Sequence, residues 1–220
     1  MRHDDHFFNF GPYAAEVDKK MRSLQVPARR QAGLLWDVVA EAGSTADLHA
    51  AQELFCWLEA QGLDRVYPNY LSHPVRVAAS MFATGLPVDT GWLLFALCHN
   101  GDEAGILDRL PEMEGRELVV ARIRTVTIDR AREKDPVYRR DFYDGIAASP
   151  GLMLFKCLDK LDNLLWWPAL DIEDCHYRII QDDVLPRMPN VHARLGVYVA
   201  GLLDYVRERA VSNKGSHHDK

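Results

Sequence analysis

Between Phe155 and Leu164 the chain interleaves apolar and ionisable residues at the period of an α-helix. Phe155, Leu158, Leu161, Leu164 and Leu165 fall where they can face a core. Lys156, Asp159 and Asn163, at i, i+3 and i+7, then share one face, so an ammonium, a carboxylate and an amide are brought together. A charged side chain beside a buried surface needs a partner or a metal.

The rest of the sequence repeats the helical period. Pro27 opens a segment carrying Leu35, Trp36, Val39 and Ala40, and Ser44-Thr45-Ala46-Asp47 signals the cap of the next, with Ala51, Leu54, Phe55 and Leu58. Further helices are predicted after Pro74, over Thr90 to His99, from Arg116 to about Arg132, and over Tyr138 to Ala148. The series continues over Leu152 to Trp167, Ile172 to Leu185 and Val191 to Arg209. No stretch alternates well enough for a strand, so the class expected is all-α. Gly85-Leu86-Pro87, Pro111 to Gly115 and Ser149-Pro150-Gly151 mark loops too short for domain linkers. The organisation expected is an amino-terminal arm over 1–26, one helical domain over 27–211 and a polar, disordered tail over 212–220. The arm would lie over the core or form a subunit contact, which leaves a homo-oligomer open.

Composition excludes several function classes. With 220 residues and 48% hydrophobic content the chain can bury one substantial core. A net charge of −6 argues against general nucleic-acid binding. No apolar run reaches the length of a membrane span and no hydrophobic secretory stretch comes after Met1 to His6, so a cytoplasmic protein is expected. Cys56, Cys98, Cys157 and Cys175 are widely spaced and read as small buried thiols rather than as a ligand set.

Two further segments change the meaning of the Asp159 helix. In Tyr70-Leu71-Ser72-His73-Pro74 a histidine stands at a helix entrance. Trp92 to Cys98 is apolar on nearly all sides and leads into His99-Asn100-Gly101-Asp102-Glu103. Taken alone, Asn100-Gly101 is a helix C-terminus, and His99 suits the negative end of the helix dipole.

Taken in order, a His before Pro, a buried helix ending in His99 and a Lys-x-x-Asp-x-x-x-Asn helix resemble the HD-domain superfamily. The resemblance is greatest to the RelA/SpoT-type guanosine polyphosphate 3′-pyrophosphohydrolases and their small single-domain relatives, and it covers roughly residues 46 to 187. It implies an HD-domain helical bundle that binds one divalent metal, usually manganese, and hydrolyses a phosphorylated nucleotide by attack of a metal-bound water. His73, His99 and Asp159 match the family's metal ligands, and Asn100 stands where the family has a further, aspartate ligand. Glu103 matches an acid that positions or activates water, and Lys156 the lysine that opens the last motif. Arg65 lies near the usual basic position upstream, and Asn163 matches an asparagine associated with nucleotide contact. Tyr138 and Tyr143 fall in the segment leading to that motif and could flank a base. Ala104 replaces the second acid of the Glu-Asp pair.

The residue types suit the chemistry. A phosphate ester is already anionic, and its hydrolysis benefits from a cation that polarises the phosphoryl oxygen and lowers the pKa of water. Neutral imidazoles with one carboxylate hold such a cation without cancelling its charge. An amide at position 100 coordinates without adding negative charge, so manganese is expected to bind more weakly than at a full carboxylate site. Two functions are therefore expected of such a chain: a metal-dependent phosphohydrolase or pyrophosphohydrolase acting on a small nucleotide, or an HD domain that binds a nucleotide or protein partner without catalysis. The mixed-charge series from Arg116 to Asp141 reads as a solvated, salt-bridged face.

Overall fold

Proline and short polar residues set the starts of several helices in the computed structural model, which describes residues 5–42, 45–63, 70–85, 88–166 and 174–215. Arg65, the remaining upstream residues 64–69, Trp167 and the end of the tail lie outside the described residues. Ten α-helices succeed one another, and no strand occurs among the described residues. They are α1 Tyr13–Ser23, α2 Ala28–Glu41, α3 Thr45–Ala60, α4 Ser72–Ala83 and α5 Thr90–Cys98. After them come α6 Arg116–Val126, α7 Pro136–Ala147, α8 Pro150–Leu164, α9 Asp174–Arg178 and α10 Pro189–Gly215. A π-helical turn, Ile179–Val184, continues α9. The all-α class expected from the sequence is the class observed.

The chain divides into two compact units, residues 1–9 with 22–127 and residues 10–21 with 128–220. In the first, α5 is the hub: it packs against α3, α4 and α6, while α2 packs against α4. Its start is fixed by Asp89, whose Oδ1 accepts the Trp92 backbone N–H at 2.8 Å. Leu93 through Cys98 are then all buried, so this helix has no solvent face over its second half. Phe7 and Phe8 of the amino-terminal arm are also buried.

In the second unit α8 is central, packing against α7 and α10, with the π-helical turn against α7 and α8. Pro150 occupies its first turn, where a missing N–H costs nothing. The expected arm is helical from Tyr13 and tied down: Lys20 donates to Asp162 of α8 and lies 5.5 Å from the centre of the Trp166 ring. Tyr198 of α10 donates its hydroxyl proton to the Gly11 carbonyl at 2.8 Å. Inside α10, His192 leaves helical geometry at φ −157° and ψ 84°, and its Nδ1 accepts the Leu195 N–H at 3.1 Å, which caps the helical segment beyond it.

Tyr13 also reaches α10, where it requires a glycine. A Cβ on Gly201 would stand 2.1 Å from the Tyr13 hydroxyl oxygen, far inside contact distance. Gly201→Ala is therefore expected to destabilise the protein by about 1–3 kcal/mol through overpacking, measured by urea unfolding. Tyr13→Phe in the same chain should recover part of that loss, because it removes the nearest atom; an unchanged midpoint in Gly201→Ala would mean that α1 does not pack here.

One boundary departs from the periodicity. The helix expected to run to about Arg132 ends at Val126, with Thr127 extended at φ −81° and ψ 118°. The Thr127 hydroxyl donates to the Ile123 carbonyl at 2.8 Å, and Asp129 Oδ1 accepts the Ala131 N–H at 2.9 Å. Those side-chain bonds offer the backbone a turn in place of another helical repeat.

Candidate metal centre

His73 sits in the first turn of α4, and a buried polar network fixes where that turn begins. Gln31 of α2, fully buried, donates through Nε2 to the carbonyls of Ser23 and Val26 at 2.6 and 2.9 Å, and the Ser72 hydroxyl lies 3.2 Å from the same nitrogen. Its Oε1 accepts from Arg76, one turn further along α4, at 3.3 Å. A buried amide with its bonds satisfied in this way locks one arrangement of two helices.

His99 caps the C-terminus of α5 and is buried. Its Nδ1 lies 2.8 Å from the Ala96 carbonyl oxygen. A carbonyl only accepts, so Nδ1 carries the proton, and in the neutral ring Nε2 is left with its lone pair. That Nε2 is 3.3 Å from Nε2 of His73. Orienting a histidine through a backbone carbonyl on its other nitrogen is how ligating imidazoles are commonly held. The chain can turn sharply after His99 because residue 101 is glycine: a Cβ there would come within 2.9 Å of the Cys98 carbonyl oxygen.

On α8 the polar face read from the sequence closes on itself. Lys156 Nζ is 3.0 Å from Asp159 Oδ2, Lys160 Nζ is 3.9 Å from the same oxygen, and Asn163 Nδ2 donates to Asp159 Oδ1 at 3.3 Å. Lys156 and Asp159 are both buried. Burial pushes the Lys160 ammonium below the usual lysine range, with Asp159 acting in the opposite direction.

His73, His99 and Asp159 each offer one ligand atom, all within 4.8 Å of one another, and this group can hold a metal ion. Two imidazole nitrogens and one carboxylate oxygen form a borderline-hard donor set suited to first-row divalent ions. No family model, curated protein or solved structure matches the chain.

The other sequence-predicted residues take varied places. Asn100 is half-buried, and its backbone carbonyl accepts from the Tyr70 hydroxyl at 2.9 Å and the Ala104 N–H at 3.0 Å. Glu103 is exposed in the turn after α5. Tyr138 is half-buried; the Arg132 guanidinium lies 4.1 Å from its ring centre and its hydroxyl oxygen accepts the Asp129 N–H at 3.0 Å. Tyr143 is corrected from a base-flanking residue to a core one: it is 1% exposed, its ring packs edge-on against Phe142, and burial raises its phenol above the usual range. Burial also pushes the Cys98 and Cys157 thiols up to about 12, which keeps them protonated at neutral pH.

Sequence reasoning missed Gln31, Tyr70 and Lys20. Only Lys20 left a local trace, as a lysine three residues after Val17 on the stripe of α1 that turns out to be buried.

Proposed function

We propose that this chain is a metal-dependent phosphohydrolase or pyrophosphohydrolase acting on a phosphorylated nucleotide, with manganese or a similar divalent ion held by His73, His99 and Asp159. The observation that carries this reading is the facing pair of imidazole Nε2 atoms, 3.3 Å apart, with the His99 tautomer set by the Ala96 carbonyl. A divalent ion bound there would polarise a phosphoryl oxygen and acidify water. The chain's own residues supply the rest. Glu103 takes the proton as water oxygen bonds to phosphorus and the phosphorus–oxygen bond to the leaving group breaks. Lys156 offsets the charge that develops on the phosphoryl oxygens, and Asn163 orients the Asp159 carboxylate.

A second reading, nucleotide or partner binding without turnover, is favoured by the α8 geometry. Both Asp159 oxygens already engage groups of their own helix, Lys156 at 3.0 Å and Asn163 at 3.3 Å. A carboxylate neutralised in this way is a weaker cation ligand.

Asn100→Asp separates the two readings. The restored carboxylate is expected to tighten manganese binding about tenfold and to raise turnover in a screen of nucleoside polyphosphates for released phosphate or pyrophosphate. A wild-type chain that stays empty in excess manganese while binding nucleotide would support the second reading. Unchanged manganese affinity in Asn100→Asp would show that residue 100 does not contribute to the centre.

A further inference from the structure

Within the second unit, α7 and the π-helical turn border an open groove of about 630 Å³. Its volume is in the range of small-molecule sites. The groove is lined by Arg139, Arg140, Arg187, Asp144, Asp182 and Asp183, together with Val137 and two prolines. Formally the charges cancel, but they are not held equally.

Arg139 and Arg187 are anchored on acceptors that stay in place. Arg139 donates through Nε to the buried carboxylate of Asp183 at 2.8 Å and through Nη1 to the Glu133 carbonyl at 3.3 Å. Arg187 donates through Nη1 to the Asp183 carbonyl and through Nη2 to the Arg140 carbonyl, the latter at 3.2 Å. Its side chain is only 13% exposed. The remaining bonds of Arg187, from Nε at 3.1 Å and Nη2 at 2.6 Å, go to a single oxygen of Asp144, which is 63% exposed. Asp182 is exposed as well, and Arg140 is exposed on the same rim. Arg139 and Arg187 against Asp183 leave the held charge of the groove positive, while Asp144 and Asp182 against Arg140 leave its exposed charge negative.

We infer that this groove binds a phosphate monoester, whose dianionic head displaces Asp144 from the Arg187 fork and meets Arg140 while its organic part lies on Val137 and the flanking prolines. The Asp144 carboxylate, 63% exposed, is rehydrated as it leaves, and the incoming phosphate replaces its charge on the Arg187 fork. A pre-anchored guanidinium fork matches phosphate oxygens in two-point geometry and loses little side-chain entropy on binding. Val137, 52% exposed, offers apolar contact that a bare anion would not use. This site is independent of the His73 and His99 centre and of the function proposed for it.

Calorimetric titration of the full chain with phenyl phosphate, in the presence of a chelator, tests the inference. Saturable binding is expected, weakened about tenfold or more in Arg140→Ala and tightened about fivefold in Asp144→Ala. It should be unchanged in His73→Ala. Arg140 and Asp144 are both exposed, and far-ultraviolet circular dichroism of each variant separates loss of fold from loss of binding. Absence of saturable binding, an Arg140→Ala affinity equal to wild type, or an Asp144→Ala affinity no tighter than wild type would overturn it. So would loss of binding in His73→Ala, or inorganic phosphate binding as tightly as the ester.

Discussion

Lys20→Met is expected to lower the free energy of unfolding by about 3–5 kcal/mol, the cost of leaving a buried carboxylate without its cation. The side chains of Lys20 and Asp162 are 2% and 6% exposed, so neither charge is well hydrated by bulk water. A methionine keeps the apolar contact with Trp166 but leaves Asp162 charged in the interior of the second unit. Replacing both residues, Lys20→Met with Asp162→Leu, should return most of the loss, because an apolar pair of similar volume carries no desolvation penalty. Urea unfolding of the two single variants and the double variant closes the cycle, with a coupling of about 2 kcal/mol or more expected. Additive losses, or a single-variant cost below about 1 kcal/mol, would place the pair at the surface. The site enters this result through α8. Asp162 precedes Asn163 and comes three residues after Asp159, so a disturbed Asp162 reaches the segment that presents the candidate ligand.

The range of each interaction decides how far it was legible in the sequence. The Lys156, Asp159 and Asn163 face needed only helical spacing, and the structure closes it with contacts three and four residues apart. The central place of α5 was readable because a helix apolar on every side has nowhere else to go. His73 and His99 are 26 residues apart, and their approach at 3.3 Å depends on α4 being placed by Gln31 and α5 by its packing partners. Neither cause is a local pattern, so spacing could nominate both histidines without showing that they face each other. The Lys20 to Asp162 pair spans 142 positions, and the only hint was a lysine on an apolar stripe. Tyr143 failed in the opposite direction: it follows a charged run and reads as able to flank a base, yet it lies on the inner face of α7. The Thr127 and Asp129 side chains ended α6 early because their bonds to the backbone compete with a helical period that Arg130 and Arg132 could otherwise continue.

The metal reading stands on His99 more than on any other residue, and His99→Ala should weaken manganese binding by at least about 100-fold. Loss of an outer partner to a ligating histidine already costs 10- to 100-fold, and loss of the imidazole removes the ligand itself. The fold has less to lose. His99 comes directly after the last residue of α5, its Nδ1 bonds a carbonyl of the same turn and its Nε2 faces His73, so urea unfolding without metal should show a change of about 1–2 kcal/mol. Manganese bound per chain, read by electron paramagnetic resonance of the free ion, is the direct measurement. Asp159→Asn adds the second axis: it preserves the shape and the Asn163 neighbour but removes the charge, and a true carboxylate ligand should lose affinity nearly as steeply. If His99→Ala abolishes binding while Asp159→Asn leaves it intact, the imidazoles bind the ion without α8. If the wild-type chain takes up no manganese, zinc or iron, the 3.3 Å contact is a hydrogen bond between a protonated and an unprotonated Nε2. In that case His73 is the donor, because the Ala96 carbonyl has already assigned the proton of neutral His99 to Nδ1.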